Sequence, residues 1–165
     1  NLAAHDGLTS LYTKGYFLER LSEECARSLR QKEEFCIVMC DIDYFKRYND
    51  KYGHSAGDLV LKEISVIATE FLKSSQAFLC RFGGEEFAIL IPHIDKKKAF
   101  SVAQGLREKV ARQKIILRRV ETGVTISMGV AAFPEDAPVA DELLRKADKA
   151  LYEAKNKGRN QVCGA

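Results

Sequence analysis

Residues 35–40 read Phe-Cys-Ile-Val-Met-Cys, an unbroken apolar run with charged residues on both flanks. A run this short, apolar at consecutive positions, suits a strand buried on both faces rather than an amphipathic helix. Such a strand needs a layer of helices on each side of its sheet. The flanking sequence supplies them, with helical stretches expected at about 14–32, 44–51, 55–72, 96–113 and 139–155. Thr13 and Asp95 stand where N-caps would start the first and fourth. The first carries Phe17, Leu18, Leu21, Cys25, Ala26 and Leu29 on one side, and the last turns Leu143, Leu144, Ala147, Leu151 and Tyr152 inward. Further strands are expected at 77–82, 86–91 and 123–132, with a short edge strand at 161–163. The runs on either side of Gly83-Gly84 read as an antiparallel hairpin. The expected fold class is therefore α/β, with a mixed sheet packed by helices.

Composition narrows the function classes. The 165 residues carry 26 Lys+Arg against 23 Asp+Glu, a formal charge of +3. That balance fits one soluble globular unit and leaves too small a basic excess for a nucleic-acid footprint. No stretch approaches the roughly 20 apolar residues of a membrane span, and no leader is visible. Cys25, Cys36, Cys40, Cys80 and Cys163 are odd in number and form no Cys-x-x-Cys pair. They read as reduced thiols, so the expected setting is cytoplasmic, with no direct membrane contact. Cys40 and Cys80 fall within apolar strands as small core residues.

Two acidic groups sit beside apolar runs: Asp41-Ile42-Asp43 after the first strand, and Glu85-Glu86 at the tip of the glycine hairpin. If the strands are neighbours, Asp41, Asp43, Glu85 and Glu86 come together. Crowded carboxylates need positive charge among them. Mg²⁺, with its preference for hard oxygen ligands and phosphates, answers that need, and a metal pair is the usual engine of nucleotidyl transfer. The other reading of these acids is that they solvate turns. Gly83-Gly84 serves either as a tight turn or as open backbone for a phosphate. Neither a Walker sequence nor a dinucleotide fingerprint is present. Asn49 and Asp58 have the donors and acceptors that a guanine ring requires, and the alternative for each is a cap or surface role. Lys46, Lys155 and Arg159 are candidate phosphate contacts. His5, His54 and His93 lack metal-ligand spacing. His54 lies between the two candidate base readers and has an alternative role in joining a loop to the next helix.

Gly83-Gly84-Glu85-Glu86-Phe87 resembles the signature of GGDEF domains in its GGEEF form. Asp41-Ile42-Asp43-Tyr44-Phe45-Lys46, Asn49-Asp50, Gly53-His54 and Gly57-Asp58 are similar to that family's DxDxFKxxND..GH..GD stretch. Asp6-Gly7-Leu8-Thr9 with Leu11, residues 125–131, and the closing Ala147-Asp148, Leu151-Tyr152, Ala154-Lys155 and Gly158-Arg159-Asn160 match further family motifs in order. The resemblance implies a five-stranded mixed sheet like the palm of nucleotide cyclases and polymerases, with GGEEF on the hairpin. It implies one catalytic domain over 1–165, with 1–4 as the stub of an upstream linker helix.

The activity implied is that of a diguanylate cyclase, joining two GTP into cyclic di-GMP and two pyrophosphates across an antiparallel pair of domains. The alternative is a catalytically idle module that binds GTP and regulates an attached domain. By resemblance, Asp41, Glu85, Glu86 and the Ile42 carbonyl hold two Mg²⁺ per half-site, with Mn²⁺ as the substitute metal. Glu85 is the family's proposed acceptor of the 3′-hydroxyl proton, although a metal-lowered hydroxyl pKa would let water or phosphate take it. Lys46 stabilises charge on phosphate oxygens, and the backbone at Phe45 and Lys46 cradles them. Asn49, Asp58 and His54 belong to the substrate-facing set, and Lys155 and Arg159 reach the β- and γ-phosphates. Implied partners are GTP, a second copy of the domain, and an upstream sensor or receiver through which the whole protein could be membrane-tethered. Many relatives carry an RxxD product-inhibition motif; Ser74-Ser75-Gln76-Ala77 stands in its place, so feedback through that site is not expected.

Overall fold

The structure, a computed structural model, describes residues 4–165. Its strands are Tyr12–Thr13 (β1), Phe35–Ile42 (β2), Phe78–Arg81 (β3), Glu86–Pro92 (β4), Ile115–Leu117 (β5), Val120–Thr122 (β6), Ile126–Phe133 (β7) and Val162–Gly164 (β8). The helices are Lys14–Gln31 (α1), Phe45–Tyr52 (α2), His54–Phe71 (α3), Lys96–Arg112 (α4) and Ala140–Asn156 (α5). Thr13 accepts a hydrogen bond from the Tyr16 amide at 3.4 Å, and Asp95 from the Lys98 amide at 2.8 Å. Each side chain satisfies an amide that the first turn of its helix leaves without a partner.

The main sheet runs β1-β3-β4-β2-β7-β8. Its centre is antiparallel, β2 pairing with both β4 and β7, while the two edge pairs, β1 with β3 and β7 with β8, are parallel. All eight residues of β2 are buried. Alternation divides them between two cores. Cys36, Val38, Cys40 and Ile42 face Val60, Ile64 and Leu106 of α3 and α4. Phe35, Ile37 and Met39 face Phe17 and Leu21 of α1 and Leu143 and Ala147 of α5. Each large apolar side chain so buried contributes about 1.5–3 kcal/mol. The unbroken apolar run is therefore two alternating stripes, each with its own helical layer.

Three details differ from expectation. The five strands read from the sequence are joined by a sixth, the two-residue β1, too short to show a pattern. A separate two-stranded ribbon, β5–β6, turns on Arg118 and Arg119 at φ +46° and +71°. Two successive positive φ values suit a tight hairpin, but the turn is normally signalled by Gly or Asn, which are absent there. Leu29 and Tyr152, expected to face inward, are each 65% exposed, because both lie at the margin of their helix's apolar stripe. Of the expected linker stub, residues 1–3 lie outside the described residues, and Ala4 is buried. No described helix is long and apolar enough to cross a membrane.

Candidate active site

Asp41, near the C-terminal end of β2, is the register partner of Glu86, the first residue of β4. The Ile42 amide donates to the Glu85 carbonyl at 3.2 Å, and the Phe82 and Gly83 amides close the hairpin on the Glu86 carbonyl at 2.8 and 3.3 Å. The strand end and the glycine hairpin thus meet, which places Asp41, Glu85 and Glu86 together. Gly83 and Gly84 do not use the left-handed φ region that a tight Gly-Gly turn would exploit. A Cβ on Gly83 would lie 2.9 Å from Glu86 Oε1, so this glycine makes room for a carboxylate; a Cβ on Gly84 would meet nothing within 4 Å.

The electrostatics record the crowding. Burial pushes the Asp41 carboxyl above its ordinary range; Glu85 and Asp43 add to the push and Lys155 opposes it. Burial also raises Glu86, helped by Asp41, Asp148 and Glu85 and again opposed by Lys155. Lys155 Nζ donates to Asp41 Oδ2 at 2.5 Å. The lysine expected on a nucleotide phosphate is thus paired with an acid expected to hold metal.

Asp43, expected beside the other acids, is near enough to raise Asp41, but its own oxygens are already bonded. Its side chain accepts from Thr125 Oγ1 and Ser127 Oγ at 2.6 Å each and from the Asn160 amide at 2.9 Å. Its own amide donates to the Thr125 carbonyl. These bonds tie the end of β2 to the start of β7 and to the loop after α5, the loop that carries Arg159.

The candidate base readers share one corner. Asn49 on α2 lies against Gly57 on α3, next to Asp58. A Cβ on Gly57 would fall 1.7 Å from Asn49 Oδ1 and 3.1 Å from its Nδ2, so only glycine leaves room for this amide. Asn49 Oδ1 is buried without a protein partner, and Asp58 is exposed. Phe45 and Lys46 open α2, whose first turn has no side-chain cap. Uncapped amides at a helix start suit an anion. Lys46 and His54 are exposed, and neither is brought onto the acids by a hydrogen bond among the described residues.

Two residues at the site gave no usable signal in the sequence. Tyr44 holds a left-handed φ of +56° and stacks under two guanidinium groups, Arg47 at 4.6 Å and Arg159 at 4.7 Å from the ring centre. Arg81 donates to the Gly84 carbonyl through Nε at 3.2 Å and Nη2 at 2.9 Å, and to Asp6 Oδ1 through Nη1 at 3.2 Å. Asp6 also accepts from the Thr9 amide and hydroxyl at 2.8 Å each. The glycine turn is therefore tied to the N-terminal Asp-Gly-Leu-Thr segment. Only an arginine five residues before Glu86 hinted at this, and surface arginines are common.

Among the described residues, no three His, Cys, Asp or Glu side chains close a metal cage by themselves. The donor chemistry nonetheless fits a divalent hard cation. Mg²⁺ is commonly held by one or two carboxylates, with its other positions taken by water and phosphate.

The family described as "Diguanylate cyclase, GGDEF domain" matches residues 3–161. Diguanylate cyclase A of Treponema denticola is 39% identical over 160 residues, covering 95% of this chain and 43% of that protein. The probable diguanylate cyclase DgcT of Escherichia coli is 38% identical over 168 residues, covering 98% and 36%. The chain thus spans less than half the length of these relatives. Among solved structures, the GGDEF domain of Caulobacter crescentus DgcB in complex with c-di-GMP superposes with a TM-score of 0.91 at 30% identity, covering 98% of this chain and 95% of that one. The diguanylate cyclase SiaD of Pseudomonas aeruginosa, in complex with its activator SiaC, gives 0.93 at 34% identity, covering 99% and 63%. The chain belongs to the GGDEF domain family.

Proposed function

We propose that this domain is one half-site of a diguanylate cyclase. Each copy binds one GTP; the 3′-hydroxyl oxygen of each nucleotide attacks the α-phosphorus of the other, and each α–β phosphoanhydride bond breaks to release pyrophosphate. Two phosphodiester bonds form and two protons leave, giving cyclic di-GMP. The observation that carries this reading is the register pairing of Asp41 with Glu86, which brings the two acidic motifs together.

Asp41, Glu85, Glu86 and the Ile42 carbonyl would hold the divalent cations, two Mg²⁺ per half-site or Mn²⁺ in their place. Bound there, such ions would neutralise phosphate charge and lower the pKa of the attacking hydroxyl. The protein supplies recognition and positioning. Asn49, whose Oδ1 end is packed against Gly57, donates through Nδ2 to guanine N3. Asp58 accepts from guanine N1–H and the exocyclic amine; adenine has no N1–H to offer, so an ionised Asp58 favours guanine. His54 opens the helix that carries Asp58 and lines this side of the nucleotide. The uncapped amides of Phe45 and Lys46 receive phosphate oxygens, and the Lys46 ammonium stabilises charge that grows on them. Arg159, perched on Tyr44, reaches the terminal phosphates together with Lys155. Glu85 stands ready to accept the 3′-hydroxyl proton.

The partners in this reading are GTP, a second copy of the domain, and a sensor or receiver domain upstream of Asn1 that sets how often two copies meet. Their site of action would be the cytoplasm, where GTP is found.

Incubating the domain at high concentration with GTP and Mg²⁺, and resolving nucleotides by liquid chromatography, tests the proposal. Cyclic di-GMP from wild type and none from Asp41→Asn is the expected result. Tight GTP binding without any product would replace the enzyme with an idle regulatory module.

A further inference from the structure

We infer that Lys155 is a tethered counter-cation which occupies the Asp41 end of the site until nucleotide and metal arrive, so that the protein's own ammonium competes with metal in the nucleotide-free state. The inference rests on the proposed metal role of Asp41 and extends it.

Asp41 is 8% exposed and is the penultimate residue of a strand that is buried along its whole length. An ionised carboxylate in that position needs a partner charge. Among the described residues Lys155 is the one side chain that bonds to it. Lys155 lies in the last turn of α5, where the helix dipole favours a cation. Its charge is felt by Asp148 on its own helix, Asp41 on β2 and Glu86 on the hairpin, all acidic; Lys14 is a second cation acting on Asp148. Its flexible stem and rotatable ammonium let it change partners without backbone movement.

A divalent cation binding to Asp41 alone would have to displace this ammonium or sit beside it. A triphosphate changes the balance, because it offers Lys155 a more highly charged partner and leaves Asp41 free. Nucleotide and metal therefore favour one another's binding, and the coupling is reciprocal. Loss of the ammonium should tighten metal binding when no nucleotide is present and shrink the gain that nucleotide brings.

The test is a titration of nucleotide-free domain with Mn²⁺, following the free ion by electron paramagnetic resonance. Wild type is compared with Lys155→Met, Lys155→Arg, Arg159→Met and Asp41→Asn, each checked for folding by circular dichroism. Lys155→Met should tighten Mn²⁺ binding by about tenfold, within the usual 5- to 150-fold span of such couplings. Lys155→Arg should stay near wild type. Arg159→Met removes an equal charge that sits on Tyr44 rather than on Asp41, and should produce a clearly smaller effect. No tightening in Lys155→Met, or equal tightening in Arg159→Met, overturns the inference. If Asp41→Asn binds Mn²⁺ as wild type does, the metal assignment is what has failed; if Asp41→Asn loses binding and Lys155→Met gains nothing, only the role of Lys155 falls. Acetylation footprinting gives a second readout. Lys155 should react several-fold faster in Asp41→Asn than in wild type, and equal rates count against the pairing.

Discussion

Gly57 and Asn49 form one unit, because the amide fills the space that a Cβ at residue 57 would need. Gly57→Ala cannot be accommodated by a small adjustment, since the clash falls on the polar end of a half-buried side chain. The expected outcome is expulsion of Asn49 and a loss of GTP affinity close to that of Asn49→Ala, with the helical signal in circular dichroism retained. Isothermal titration with a non-hydrolysable GTP analogue measures it; wild-type affinity in Gly57→Ala would separate the two residues. Asp58 acts at the next position, where it is exposed and limited by solvent. Asp58→Ala should lower kcat/KM for GTP by at least about 30-fold, equivalent to ~2 kcal/mol, the lower end for truncating a charged hydrogen-bond partner. The same variant should narrow the gap between GTP and ATP in competition assays. An unchanged nucleotide preference would assign base reading elsewhere.

The hairpin between β3 and β4 has its geometry held from outside. Arg81 anchors the Gly84 carbonyl and is itself held by Asp6, so the position of Glu85 depends on a segment some 75 residues earlier in the chain. Arg81→Ala should reduce kcat by roughly 10²-fold, the scale on which small misplacements act, while KM for GTP changes little because Asn49 and Asp58 are untouched. Arg81→Lys should rescue only part, since an ammonium cannot bridge both partners with the same fork. The tie also has a pH signature. Burial raises the Asp6 carboxyl, but the bonds from Thr9 and the charge and bonds of Arg81 outweigh it and leave its pKa below the ordinary 3.8. A depressed folded pKa means that the stabilisation is present above about pH 3.8 and is lost as pH falls through the lower folded value. The stability gap between wild type and Asp6→Asn in urea melts should therefore hold from neutral pH to about pH 4 and close below it. A gap independent of pH would remove the ion pair from the account.

This element also marks where sequence reading stopped. The acids and glycines were legible because each stood beside an apolar run whose length and flanks identify a buried strand. The Thr13 and Asp95 caps were legible because capping depends on residues three apart. Arg81 was not, because its partners are Asp6 and a backbone carbonyl, and no local pattern reports a contact of that range. The β5–β6 ribbon was missed because arginines occupy a turn that usually needs glycine or asparagine. That the Asp43 oxygens are already taken was not legible, because Asp-x-Asp carries no sign of which carboxylate bonds to Thr125 and Ser127.

At the scale of the whole molecule, the paired ends of β2 and β4, the start of α2 and the end of α5 all converge on one end of the sheet. On the proposed reading a single copy presents one nucleotide's α-phosphorus and one 3′-hydroxyl, and joining those two would close a cyclic mononucleotide rather than cyclic di-GMP. The cyclic dinucleotide of that reading needs two such ends to meet, with each end completing its own transfer. Turnover per domain should therefore rise in proportion to protein concentration until pairing saturates, a dependence that initial-rate measurements over a hundredfold dilution will reveal. Mixing gives the stricter measurement. In a pair made of wild type and Asp41→Asn, the intact half can make the first phosphodiester bond and the altered half cannot make the second. An excess of Asp41→Asn over wild type should thus divert product toward the linear dinucleotide, still bearing its triphosphate, at the expense of cyclic di-GMP. Each half-site would then be responsible for one bond; if the cyclic fraction of the product stays constant as Asp41→Asn is added, both bonds are being made at a single site.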